Sequence, residues 1–242
     1  MERRDSAGLA VFVTSEPIIL GATCALGEDE VRHLKVRRID IGTVIGLRNG
    51  AGVVAEGTLV RLSKQGAHVE VSYVEHVAPP SPLHLLVPVA DRDRLLWLAE
   101  KAAELSCTSW RPVLWKRSRS VSPRGEGVTF QAKVRARMQG ALAQSHGAWL
   151  PQLFPEATID RAIHAAPEGT RLVLDAKGSP MAARGASALA SPVVIAVGPE
   201  GGFEADELEA LYAAGFASAG LGETILRFET AAVVAAGIVR AS

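Results

Sequence analysis

The stretch Val193–Glu207, VVIAVGPEGGFEADE, decides how the rest of the chain is read. An apolar run stops at Gly198-Pro199, turns through Glu200-Gly201-Gly202, and resumes as an acidic amphipathic pattern. A short apolar run bounded by turn residues reads as a buried strand, and acids in a first turn favour a helix start. The turn therefore joins a strand to a helix at the carboxyl end of a sheet, where open α/β sheets bind ligands. Any such turn needs glycine, so the segment alone reads equally as a plain turn or as a ligand loop.

Outward from this point the same alternation recurs. LHLLVPV (83–89), WRPVL (110–114), RLVLDA (171–176) and SPVVIAV (191–197) read as strands. Residues 93–105 place Leu95, Leu98, Ala102 and Leu105 on one helical face. VTFQAKVRARMQGALAQS (128–145) reads as a long helix with basic residues along one side, and EADELEALYAAG as a helix ending near Gly215. The Ala/Gly/Ser-rich stretch 182–191 reads as a loop or a poor helix. Strands alternating with helices imply an α/β domain with a mostly parallel sheet. Upstream, residues 10–77 hold short valine- and leucine-rich β segments with glycine turns and one short helix, EDEVRHLKV (28–36). This is a small β-barrel-like domain. The prolines of APPSP mark a linker at 78–82 and divide the chain into domains 1–77 and 83–242.

The chain has 242 residues, 48% of them apolar, which is the composition of a folded globular protein. No apolar run is long enough to span a membrane. MERRDSAGLAVFV has neither the apolar core nor the cleavage pattern of a signal peptide, which places the protein in the cytoplasm. Cys24 and Cys107 lie far apart without partners at metal-ligand spacing, so they read as buried free thiols and no metal is expected.

Lysine plus arginine and aspartate plus glutamate balance at 26 each, yet the charge is segregated. Residues 111–137 carry Arg111, Lys116, Arg117, Arg119, Arg124, Lys133, Arg135 and Arg137 against Glu126 alone. A second basic cluster is Arg32, His33, Lys35, Arg37 and Arg38. Between Arg184 and Arg227 there is no base, and Glu200, Glu204, Asp206, Glu207, Glu209 and Glu223 make that third acidic. The glycine turn has neither the G-x-G-x-x-G spacing nor a following G-K-[ST], so the dinucleotide and P-loop fingerprints are absent. Its carboxylates would repel polyphosphate, whereas a neutral or cationic ligand such as a sulfonium cofactor would be accepted.

LGETILRFETAA (221–232) is a second constellation: a short apolar segment ends in Leu-Gly, loops, and enters a helix at Arg227. Arg227 with Glu229 reads by itself as a helix-start charge pair. The helix that follows carries no charge from Thr230 to Val239, and so must be buried on most sides, either as a central core helix or against another subunit.

Taken together, VGPEGGF followed by LG..ILR.ETA resembles the RsmE family of S-adenosylmethionine-dependent methyltransferases, which act on N3 of a specific uridine of 16S ribosomal RNA. HLKVRR (33–38), AEKAAELSCTSWRPVLWKRS (99–118) and ALAQSHGAWLP (141–151) are similar to further elements of that family. The resemblance implies a PUA-like N-terminal barrel and a C-terminal SPOUT domain with a trefoil knot, a homodimer, and small-subunit ribosomal RNA as partner. It implies that S-adenosyl-L-methionine is held by three loops: Leu174, Asp175 and Ala176; Val197, Gly198, Pro199, Glu200, Gly201 and Gly202; and Leu221, Gly222, Ile225, Leu226 and Arg227. RNA contacts carried over are Arg32, His33, Arg37, Arg38, Arg117, Ser118, Arg119 and Gln144. The chain departs from the family pattern at Arg37, Asp91, Ser106, Lys116, Gly140 and Gly147. Methyl transfer to N3 requires alignment, loss of the N3 proton, and stabilisation of charge on the ring oxygens. Arg227 is the candidate for anion stabilisation. Glu200 and Glu229 are the candidate proton acceptors, Glu229 reading equally as a partner of Arg227 or a helix-start residue.

Overall fold

The computed structural model describes residues 8–118, 128–181 and 189–241; Arg119 and most of the 182–191 stretch lie outside the described residues. The chain divides into two compact units, one formed by the described residues up to Pro79 together with Gln139–Leu150, the other by Pro80–Met138 and Pro151 onward.

The first unit contains β1 (Val11–Val13), β2 (Thr23–Leu26), α1 (Glu28–Val36), β3 (Val44–Arg48), β4 (Val53–Leu62) and β5 (Ala67–His76). Its five strands run in the order β1-β3-β4-β5-β2, antiparallel except for the β1–β3 pair. The sheet curls as a half-barrel with β1 and β2 as its edges. Alternate residues Ala67, Val69 and Val71 of β5 point inward and meet Leu34, Ile45, Leu47 and Leu59 in one core. The return of 139–150 to this unit has no compositional signal. It is pinned by Trp149, whose indole donates to the Val77 carbonyl (3.1 Å) and covers Gly52. Gly52 has φ +92°, and a Cβ there would lie 2.5 Å from the Trp149 ring, so both conformation and space demand glycine.

The second unit contains β6 (Leu83–Pro88), α2 (Arg92–Glu104), β7 (Ser109–Leu114), β8 (Gln152–Leu153), β9 (Ala157–Thr158), α4 (Ile159–His164), β10 (Thr170–Pro180), β11 (Val193–Ala196), α5 (Ala205–Ala213), β12 (Ala217–Gly220) and α6 (Phe228–Arg240). Helix α3 (Val128–Ser145) begins in this unit and ends in the first. The sheet order is β12-β10-β11-β6-β7-β8, with β9 also beside β7, and every pairing is parallel. All four residues of β11 are buried, as a parallel strand covered on both faces requires. Leu86, Val113, Val173, Val194 and Ala196 pack against Ala162 of α4 and Leu211 of α5. Helix α6 packs on α2, β6 and β11 through Ala232, Ala235 and Ala236, so its lack of charge is explained on that side by the core; Val234, 37% exposed, lies outside it.

Both cysteines are buried free thiols, and burial pushes the Cys107 thiol up to about 12. Among the described residues no helix is long and apolar enough to cross a membrane, and no group of three or more histidine, cysteine, aspartate or glutamate side chains is placed to hold a metal ion.

Candidate functional site

Three neighbouring strands, β12, β10 and β11, each contribute a wall of one pocket. After β11 comes Val197–Gly202. After β12 comes Leu221–Leu226. The third wall lies inside β10, whose pairing with β12 breaks between Leu174 and Ser179, so that Asp175 and Ala176 bulge out of the ladder. The cavity has a volume of about 400 Å³, within the range of small-molecule sites. Every carried-over ligand residue lines it except Arg227. The lining is mostly apolar side chain and glycine backbone, and its charged members are Asp175 and Glu200.

The approach of β10 to β12 next to the bulge is tight. A Cβ on Gly178 would lie 2.6 Å from the Ala219 amide nitrogen, and one on Gly220 would lie 2.5 Å from the Gly178 carbonyl oxygen. On the opposite wall Phe203 lies against Gly198, where a Cβ would meet its ring at 2.8 Å, and its ring meets Trp115 edge-on with centroids 4.8 Å apart. Trp115 is therefore a packing residue that holds the end of β7 to the glycine turn.

The acidic start of α5 is not a bare negative surface. Lys116 Nζ donates to Asp206, which lifts the lysine and lowers the aspartate from their ordinary values chiefly through that hydrogen bond. Arg117 donates from Nε to Glu204 Oε1 (2.7 Å) and from Nη1 to the Gly201 carbonyl (2.8 Å). Glu207, 3% exposed, accepts from the Lys116 amide (2.7 Å) and the Glu204 amide (2.8 Å). Arg94 of α2 donates to Glu200 Oε1. The repulsion expected of these carboxylates is thus offset by bases from elsewhere in the chain. The case against a phosphate ligand rests instead on the lining, which contains no lysine or arginine.

The candidate catalytic residues separate. Glu200 lines the pocket. Arg227 is exposed, the N-cap residue of α6, between the lining residues Leu226 and Phe228. Glu229 is 8% exposed, is not part of the lining, and has Oε1 3.9 Å from Arg94 Nε; the ion partner described for it is Arg94, not Arg227. Arg32, His33, Arg37 and Arg38 are exposed on α1 and just after it, and Gln144 is exposed near the end of α3. Arg117 is committed to the glycine turn, and Ser118 Oγ accepts from the Trp115 amide (3.2 Å). Sequence reasoning missed Arg94, which lies in no glycine motif, and did not distinguish Glu207 from the other acids of its segment. It also missed Phe203, inside the stretch Val193–Glu207, and Leu208, one residue beyond it, and that position was the available signal.

A parallel α/β unit with a pocket at three adjacent strand ends, joined to a curled β unit, is the architecture of an RNA methyltransferase, and the family models agree. Residues 78–240 match the RNA methyltransferase domain and residues 26–72 the RNA methyltransferase PUA domain. The ribosomal RNA small subunit methyltransferase E of Mycobacterium bovis is 31% identical over 231 residues, covering 90% of this chain and 86% of that one. The enzyme of the same name from Synechocystis is 28% identical, covering 95% and 77%. The crystal structure of the Neisseria gonorrhoeae ribosomal RNA small subunit methyltransferase E, bound to S-adenosyl methionine, superposes with a TM-score of 0.86 at 26% identity, covering 96% of this chain and 97% of that chain. The chain belongs to the ribosomal RNA small subunit methyltransferase E family.

Proposed function

We propose that the protein transfers a methyl group from S-adenosyl-L-methionine to N3 of a uridine in the 16S RNA of the small ribosomal subunit. The observation that carries this is the pocket itself, because the two glycine motifs that carry the family resemblance converge on one cavity of about 400 Å³ with no cationic side chain in its lining. A sulfonium-bearing nucleoside fits that lining. Glycine backbone at Gly198, Gly201 and Gly222 lets polar groups of the ligand approach main-chain N–H and C=O, and Leu208, Leu226 and Phe228 offer apolar surface. When bound, S-adenosyl-L-methionine supplies a methyl group activated by positive charge on sulfur.

In this reading the residues that hold the cofactor are those of Leu174–Ala176, Val197–Gly202 and Leu221–Leu226. Arg227, exposed at the pocket's edge, stabilises negative charge on the uracil oxygens as the N3 proton leaves. Glu200 is the carboxylate placed to accept that proton, since it lines the pocket whereas Glu229 does not. The exposed bases Arg32, His33, Arg37 and Arg38, with Gln144, contact RNA backbone and give salt-dependent affinity. A homodimer in the cytoplasm, with a knotted second domain, completes the proposal. The test is methyl transfer to purified small subunits lacking the modification, with naked RNA beside them and the product nucleoside read by mass spectrometry. N3-methyluridine that depends on the protein is expected, and its absence from both substrates would sink the assignment.

A further inference from the structure

Arg94 has no part in the reading above, yet it is the residue on which two of the three candidate catalytic groups converge. Its place is set by α2: Asp91 caps the helix, and its carboxylate accepts from the Asp93 and Arg94 amides (3.1 Å each), so the Arg94 side chain leaves from a fixed first turn. The guanidinium then meets two carboxylates carried on separate segments. One is Glu200, in the pocket loop after β11; the other is Glu229, in the first turn of α6 between the lining residues Phe228 and Ala231. Glu229 needs such a partner. It is 8% exposed, and its Oε2 is buried without a hydrogen bond among the described residues. A buried carboxylate left without a cation is strongly disfavoured, because its desolvation is then uncompensated. The planar guanidinium is the side chain best suited to serving two carboxylates at once.

We infer that Arg94 is a positioning residue for cofactor binding: by bridging Glu200 and Glu229 it ties the loop Val197–Gly202 to the start of α6 and holds two pocket walls at their binding distance. This rests on the pocket being the S-adenosylmethionine site. A role in fold stability alone would lower the melting temperature and leave the ligand affinity of the folded protein unchanged. A bridging role acts through Glu200, so its effect depends on Glu200 being present.

The experiment is calorimetry on the full chain with S-adenosylmethionine and with S-adenosylhomocysteine, for the native protein, R94K, R94Q, E200Q and R94Q/E200Q, each held well below its own melting temperature. R94Q is expected to weaken both ligands about tenfold, the size of one lost charge-assisted hydrogen bond. R94K, which keeps the charge but not the fork, is expected to fall between R94Q and the native protein. R94Q/E200Q is expected to be no more than about twofold weaker than R94Q, because the coupling is already gone. Affinities of R94Q within about twofold of native, or losses that simply add in the double variant, overturn the inference and leave the pocket assignment standing. If R94Q does not fold, R94K with native affinity overturns it in the same way. A native protein that binds neither ligand removes the pocket assignment, and the Arg94 inference falls with it.

Discussion

The two glycine loops of the pocket were found by the same kind of motif, but they are built differently. Val197–Gly202 is braced from outside: Arg94 holds Glu200, Arg117 holds the Gly201 carbonyl, and Phe203 wedges against Gly198 under Trp115. Leu221–Leu226 has no such frame. Among the described residues no ion pair or side-chain hydrogen bond ties it down, Gly222 sits at φ +143°, and Ile225 is 90% exposed although it lines the cavity. An apolar side chain left in water beside a cavity gains burial only when something fills that cavity. The braced wall is thus preorganised, and the free wall is expected to close when a ligand binds. Preorganisation spares the ordering cost on one side, and a free wall leaves a way in and out on the other.

The largest effect should come from the close approach of β10 and β12, from which the free wall leaves. Gly178→Val places a branched side chain 2.6 Å from the Ala219 backbone, and neither strand can give without loss of the β10–β12 ladder. The expected cost is about 3 kcal/mol of unfolding free energy in urea, the upper end for overpacking. Second comes the brace itself. In Glu207→Gln the amide nitrogen must face one of the two N–H donors, from Lys116 and Glu204, that the carboxylate now serves. One buried donor is left unpaired, and the expected loss is about 2 kcal/mol by the same measurement. If Glu207→Gln is neutral, the start of α5 is not what anchors the braced wall.

Much of this architecture could be read from residue order, and the limits of that reading are physical. EDEVRHLKV and VTFQAKVRARMQGALAQS became helices over the spans their patterns indicate, and the valine-rich runs became strands, because period and turn chemistry are local properties. The residues that line the pocket were reached through the family resemblance, whose two glycine motifs meet at one cavity. What stayed hidden is long-range. Nothing local shows that Arg94 meets Glu200, 106 positions later, or that Lys116 and Arg117 meet acids about ninety positions on. The basic and acidic segments are separate when counted along the chain, but in the folded unit part of each neutralises the other. The β-barrel-like first domain was legible, but strand patterns do not reveal that β1 and β2 remain its edges.

The free wall predicts an effect on binding without one on stability. Ile225→Ala removes a side chain that touches little in the unliganded protein, so its melting temperature should match the native value. Affinity for S-adenosylmethionine should fall about tenfold by calorimetry, as expected for losing most of an isoleucine side chain's burial on binding. An unchanged affinity would mean that Ile225 stays in water and that Leu221–Leu226 does not close.

The smallest effect is expected away from both walls, at a departure from the family pattern. Ser106 stands where the pattern has glycine and holds φ +51°, the left-handed conformation at which a helix end normally takes glycine. Its carbonyl accepts from Arg240 Nη2 (2.5 Å) and its amide donates to the Ala103 carbonyl (3.0 Å), so the conformation is maintained by backbone contacts that do not need the serine side chain. Ser106→Gly should therefore relieve the strain and keep both contacts. The larger freedom of glycine in the unfolded chain offsets part of that relief, leaving a net stabilisation of about 0.5 kcal/mol. The urea midpoint should rise with unchanged slope, while cofactor affinity stays native. A lower midpoint would show that the serine hydroxyl contributes a contact worth more than the strain it imposes, and would place the end of α2 among the braced parts of the unit.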